Sequence, residues 1–242
     1  MLLVPGSILD QPLYTFADVD RILGLSPGTA KRWINGYESA RWVTDYELTR
    51  TKYDPVVREK PIDSAWTTWG EFVEVYYLSR FRRSGIPLQK LRKTLMAIRD
   101  RLEMHYLFAN DKVLYADPDL LEVIGELQRV EGVPLLVVQR TGQIRFELDP
   151  EARMRLERIT YDASGVARSL KPRVDLNHVI VSADRFFGKP KLEDTGISPE
   201  AVARLVWSGT PVETVSELYQ IEPALIDEAG RFSFGRRWTI AA

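Results

Sequence analysis

A chain of 242 residues is longer than most single domains, so two or three modules with separate cores are expected. Its composition, 45% hydrophobic and 28% charged, excludes wholesale disorder; the absence of cysteine excludes disulfides, thiolate metal sites and cysteine nucleophiles, and fits a reducing compartment. The net charge of −1 is unevenly spread, at +3 over residues 1–110, −3 over 111–170 and −1 over 171–242, so a polyanionic partner belongs at the N-terminal end.

The opening MLLVPGSILD lacks the length and basic lead of a secretory signal, and no apolar run approaches about 18 residues. A cytoplasmic protein without membrane contact is expected. In LYTFADVDRILGLSPGTAKRWINGYE, Thr15 can cap a helix whose Phe16, Val19, Ile22 and Leu23 share one face, and Gly24 ends it. Ser26 and Pro27 then supply an N-cap and a first helical position for a second helix that Gly36 stops.

Two short helices about a tight turn are the signature of a helix-turn-helix, whose second helix enters the major groove. Ala30, Trp33 and Ile34 point inward at helical spacing, leaving Gly28, Thr29, Lys31, Arg32 and Asn35 outward. Ser26 and Thr29 suit phosphate, Lys31 and Arg32 suit phosphate or guanine, and Asn35 suits adenine. The alternative is a plain helical hairpin with a solvated basic face.

From Tyr37 to Asp63, aromatic and branched residues alternate with Arg41, Arg50, Lys52, Arg58 and Lys60. This reads as a wing in which Arg41 adds a DNA contact, or as a sheet edge that uses charge to deter pairing. Thr67 or Thr68 caps a helix from Trp69, with Phe72, Val73 and Tyr76 inward, Arg80, Arg82 and Arg83 complementing its dipole, and Gly85 stopping it. In IPLQKLRKTLMAIRDRLEMHY, Leu88, Leu91, Leu95, Ile98 and Leu102 alternate at spacings of three and four. Such a seam suits a coiled-coil partner and a homodimer, while a single packed helix fits it almost as well.

Residues 14–100 resemble the MerR-type helix-turn-helix, through TFADVDRILGLSPGTAKRW and the later FVEVYYLSRFRRSGIPLQKLRK. The cysteines on which metal sensing in that family relies are missing.

Residues 111–170 read as mixed strand and helix: KVLYA as a strand, a helix from Asp117-Pro118 to Leu127, and two strands about RTGQ. Asp117, Asp119 and Glu122 are better explained as an acidic first helical turn than as a metal or acid–base site. The last module opens on VIVSADRFFGKPKLEDTGI and continues in three helices, started by Ser198-Pro199, Thr210-Pro211 and Glu222-Pro223. Its third helix carries Glu222, Asp227 and Glu228, which would repel phosphate, so this module is assigned to protein contacts.

That segment resembles the small C-terminal domain, formerly of unknown function, of VapB-like antitoxins, through Gly188, Pro190, Thr195, Ile197, Leu205, Gly209, Tyr219, Ile226 and Ala229. Gly196 stands where that family usually has arginine. Joined to a MerR-like reader, the architecture resembles a long antitoxin paired with a PIN-like ribonuclease toxin. The resemblance implies neutralisation of the toxin and binding to the module's own operator. With a metal-binding, acidic toxin site implied, Arg231, Phe232, Phe234, Arg236, Arg237 and Trp238 become candidate toxin contacts, with completion of the local core as the alternative for the aromatic ones.

Only His105 and His178 are available for acid–base chemistry, far apart in sequence, and no phosphate loop or nucleophile elbow occurs, so no catalysis and no cofactor are expected. The expected fold is α+β and mainly helical: a MerR-like winged helix-turn-helix over 1–66, connecting or dimerisation helices over 67–110, a small mixed module over 111–172, and a three-helix antitoxin-type domain of helix-turn-helix shape over 173–242. A dimeric regulator sensing a small ligand in the mixed module, without a toxin, is the alternative function.

Overall fold

The structure, a computed structural model, describes residues 7–44, 47–83, 88–110, 137–140, 143–146 and 158–238. The strand and helix expected within 112–127, with Asp117, Asp119 and Glu122, lie outside those residues. So do the stop at Gly85 and the side chains of Leu102 and Arg236. The chain divides into two units, Met1–Glu157 with Tyr161–Ala167, and Arg158–Thr160 with Arg168–Ala242.

In the first unit, strand β1 (Pro12–Thr15) leads directly into helix α1 (Phe16–Leu23). The Thr15 hydroxyl accepts the Asp18 N–H at 3.2 Å while the Asp18 carboxylate accepts the Thr15 N–H at 3.1 Å, a reciprocal cap that satisfies two otherwise unpaired donors. Gly24, at φ 65°, closes the helix in the left-handed conformation. Helix α2 (Thr29–Asn35) follows, then the hairpin of β2 (Tyr37–Thr44) and β3 (Glu47–Tyr53), paired from Tyr37↔Tyr53 to Thr44↔Glu47. Gly36 between them has φ +73°, and a Cβ there would lie 2.6 Å from the Tyr53 carbonyl oxygen, so only glycine fits.

Strand β4 (Trp66–Thr68) pairs antiparallel with β1 and delivers the chain to helix α3 (Trp69–Arg83). Thr68 is the cap: its hydroxyl accepts the Glu71 N–H at 3.2 Å and its own N–H reaches the Glu71 carboxylate at 2.9 Å. From Trp69 to Arg80 every residue of α3 is buried, so this is the central helix of the unit rather than an amphipathic one. Its polar residues are accordingly paired. Glu74 accepts the Arg99 guanidinium at 2.7 Å and the Phe108 N–H at 2.7 Å, and Trp69 donates its indole N–H to the Ala167 carbonyl at 2.7 Å.

Helix α4 (Leu88–Leu102) carries the leucine seam, but Leu91, Leu95 and Ile98 are 0, 2 and 1% exposed within the unit itself. This corrects the expectation of a coiled-coil dimer through Leu88, Leu91, Leu95, Ile98 and Leu102: the core of one chain already occupies the centre of the seam. Strands β5 (Val137–Arg140) and β6 (Gln143–Phe146) form the antiparallel pair expected about RTGQ.

In the second unit, a four-stranded sheet runs in the order β10, β9, β8, β7, from β7 (Ile159–Tyr161), β8 (Ala167–Leu170), β9 (Val179–Ser182) and β10 (Lys191–Leu192). The tip of its β7–β8 hairpin, residues 161–167, is counted with the first unit. Helices α5 (Pro199–Trp207), α6 (Val212–Tyr219) and α7 (Pro223–Phe234) close over a core of Leu176, Val179, Leu192, Val202, Val215, Ile221, Ile226, Ala229 and Phe232. The proline-marked starts hold, with Pro199 and Pro223 as first helical residues and Pro211 one position earlier, as the cap. Among the described residues no helix is long and apolar enough to cross a membrane.

Candidate nucleic-acid interface

The turn into α2 differs from its expected form. Ser26 is not the cap: its carbonyl accepts the Thr29 N–H at 3.1 Å, and Gly28 sits at φ 79°, ψ 2°. Ser26-Pro27-Gly28-Thr29 is thus a type II β-turn, with proline and glycine at the positions that turn prefers, and α2 begins at Thr29. The capping acceptor comes instead from the preceding helix. Asp20, 5% exposed, accepts the Gly28 N–H at 2.6 Å and the Ala30 N–H at 2.7 Å, joining α1 to the open N-terminus of α2. Sequence reading missed this role because the acceptor lies eight and ten residues from the donors it serves.

Of the outward set, Ser26, Gly28, Lys31 and Arg32 are exposed. Thr29 is not: at 8% exposure it packs beneath the turn and accepts the Arg32 guanidinium at 3.3 Å. Asn35 is corrected more sharply. Its amide donates to the Ile62 carbonyl at 3.0 Å, and its oxygen accepts the Ile62 N–H at 2.8 Å and the Arg58 guanidinium at 3.1 Å. With both ends engaged it ties the segment after the hairpin to α2 and is not free to read adenine.

Arg58, expected among the wing cations, is also internal. It is 6% exposed, bonded to both Glu71 oxygens at 2.5 and 3.0 Å and to the Trp66 carbonyl at 2.9 Å. The hairpin is a different case. Residues 37–42 and 48–52 are exposed on both faces, with Trp42 62% exposed, Arg41 opposite Thr49, and Arg50 opposite Ala40. A two-stranded hairpin whose described residues bury neither face has marginal stability of its own. Its base is held by the Tyr37 and Tyr53 rings, stacked 4.6 Å apart.

Beside α2 lies an open groove of about 670 Å3, whose lining brings Ser26, Arg32 and Trp33 together with Arg82 and Arg83 from the end of α3. The two α3 arginines were explained in the sequence by the helix dipole alone. Their place beside Arg32 extends the cationic surface of α2 by two more guanidinium groups.

The C-terminal candidates divide differently. Phe232 and Trp238 are 3 and 7% exposed, and the Trp238 indole donates to Asp227 at 3.0 Å. A Cβ at Gly230 would fall 1.9 Å from that ring, so α7 is shaped to receive it. Phe234 stacks between Trp207 and Trp238, at 4.5 and 5.9 Å. Arg231 pairs with Asp227 at 3.0 Å, while Arg237 is exposed. The tail therefore completes the local core, which removes Phe232 and Trp238 as contact anchors. The acidic face read on α7 is also revised: Glu228 is 4% exposed and accepts the His178 and Val179 N–H groups at 2.5 and 3.0 Å. Burial acts to raise its carboxyl, but those bonds outweigh burial and hold it below the usual glutamate range.

Residues 12–95 match the family described as "Putative DNA-binding HTH domain". A crystal structure of Rv2018 from Mycobacterium tuberculosis has the same fold, at TM-score 0.66 and 23% identity over 91% of this chain and 98% of that one. "Putative antitoxin VapB45" from the same organism is 25% identical over 238 residues, covering 91% of this chain and 93% of that protein. "Uncharacterized protein Rv2308", also from Mycobacterium tuberculosis, is 30% identical over 229 residues. That similarity spans 92% of this chain and 90% of its relative, and the chain belongs to the Rv2308 family, with a helix-turn-helix DNA-binding domain at its N-terminus.

Proposed function

We propose that this chain is the antitoxin of a type II toxin–antitoxin module, a cytoplasmic binding protein and not an enzyme. It inhibits a PIN-like ribonuclease toxin and represses its own promoter. In this reading the N-terminal domain is a MerR-like winged reader that acts on DNA as a homodimer, through a surface other than the filled α4 seam. The second unit is a three-helix antitoxin-type domain that takes the toxin.

The observation that carries the reading is the likeness, over nine-tenths of both chains, to the protein named "Putative antitoxin VapB45". The exposed cations Lys31, Arg32, Arg41 and Arg50, together with Arg82, support its DNA half. Two separate cores support a division of labour, because each partner can then be bound without dismantling the other site.

The test is co-purification of the untagged product of the neighbouring gene with the tagged chain, followed by ribonuclease assays of that product free and bound. The expected result is a nuclease that is active alone and silent in the complex. A chain that binds its operator but captures no nuclease would instead make it a regulator without a toxin.

A further inference from the structure

We propose that the turn at Phe186 and Phe187 is where the second unit grips an acidic protein partner; this rests on the antitoxin reading and says where that partner docks. Between β9 and β10 the backbone makes a left-handed turn, with φ of 54° at Phe186, 54° at Phe187 and 72° at Gly188. Left-handed geometry drives an L-residue's Cβ toward the following carbonyl, and for a bulky side chain it is a true outlier. Such strain persists where the surroundings over-determine it, and it gathers at ligand clamps. Asp194, another non-glycine residue with positive φ, at 61°, lines the cavity beside the same turn.

Folding gains little from these rings. Phe187 is 86% exposed and Phe186 48%. Phe186 at least has a seat: it lies over Gly196, where a Cβ would approach its ring edge to 3.2 Å, and the Lys191 ammonium stands 4.6 Å from its centroid. The absence of a side chain at Gly196 leaves room for the Phe186 ring, and Phe187 projects beyond it into solvent.

The surroundings select the partner's chemistry. A cavity of about 290 Å3 adjoins the turn, lined by Ser182, Leu192 and Asp194 together with the cations Arg185, Lys189 and Lys191. Arg185 and Lys189 are exposed and, among the described residues, enter no ion pair. With Arg185, Lys189 and Lys191 against the exposed carboxylates of Asp184 and Asp194 the rim is net positive, and an exposed ring inside it is complementary to an apolar pocket edged with carboxylates. A nucleic acid fits less well, because it is bound by successive stacked aromatic platforms in a uniformly positive groove, and here Asp184 and Asp194 are exposed around the turn.

The full-length chain and its F187G variant are titrated calorimetrically against the purified product of the neighbouring gene, and each is melted alone. Glycine accepts a left-handed turn, so F187G is expected to melt no lower than the wild type yet to bind at least tenfold more weakly. The K189E variant is expected to weaken binding and to flatten its salt dependence. F187G binding within twofold of wild type overturns the docking surface while leaving the antitoxin reading intact. If the wild type itself binds no such product, the antitoxin reading falls and the docking surface with it. Binding of a labelled single-stranded RNA by the wild type that is lost in F187G would also overturn the proposal, in favour of a nucleic-acid surface.

Discussion

Asp20 does for α2 what the local sequence of that helix cannot. The first N–H groups of a helix need acceptors, and Gly28, in the capping position, has no side chain to provide one. Asp20 supplies both oxygens from inside the fold, at 2.6 and 2.7 Å. D20A leaves the buried Ala30 N–H unpaired, and the half-buried Gly28 N–H with it, and is expected to lower stability by about 1–3 kcal/mol, measured by urea unfolding. D20N keeps one acceptor and should lose less. The same change should weaken operator binding, since the turn that aims Lys31 and Arg32 is then no longer held. Equal stability of D20A and wild type would show that water replaces the cap. At this scale the sequence is a partial guide. Thr15 and Gly24 were legible because their partners lie within four residues, whereas Asp20 and Asn35 act across 10 and 27 residues. Residue type alone reads Asn35 as a base-reading amide, and only tertiary contact shows it occupied.

Elements were legible where a periodic apolar face or a cap marks them, as with α1, α4 and the proline-led helices, and were misjudged where the number of covered sides matters. Helix α3 is the clearest case: spacing identifies Phe72, Val73 and Tyr76 as inward, but does not reveal that Glu71 and Glu74 are inward as well. That full burial makes the Arg58–Glu71 pair sensitive to the loss of either member. E71A would strand the Arg58 guanidinium at 6% exposure, with an expected cost of about 3–5 kcal/mol by chemical unfolding. The apolar double variant R58M/E71L should recover part of it, because it removes both charges together but also the bonds of this pair to the Thr68 N–H, the Trp66 carbonyl and Asn35. Helix α7 gives a prediction in pH. The folded-state Glu228 carboxyl lies below its ordinary value, so its contribution to stability is complete above the unfolded value, about 4.3. It is lost as pH falls from there through the folded value. Urea midpoints of the second unit should therefore drop steeply below about pH 4.3 in the wild type and less steeply in E228Q. Parallel acid limbs for the two proteins would rule this carboxylate out as the cause.

At the scale of the whole molecule, the net charge of −1 conceals a chain that is +3 over its first 110 residues, and the structure exposes much of that excess on α2, the hairpin and the end of α3. Attraction to a polyanion depends on the charges within roughly a Debye length of it, about 8–10 Å at moderate salt, and not on the total. DNA affinity should therefore be strongly salt-dependent despite the slightly negative sum. The K31A/R32A variant tests this, because both side chains are exposed and Lys31 makes no bond that holds the fold among the described residues. Each lost phosphate contact reduces the slope of log affinity against log salt by about 0.9, so a reduction of up to about 1.8 is expected, with little change in melting temperature. The magnitude also distinguishes roles. A full reduction, uniform across DNA sequences, assigns both residues to phosphate, whereas a smaller reduction with relaxed preference at one base pair assigns one of them to a base edge. Partner binding by the second unit should be unchanged in either case, because the residues altered belong to the other core. A variant that lost both activities together would mean that DNA and partner are bound as one coupled event, and the two units would then have to be treated as a single switch.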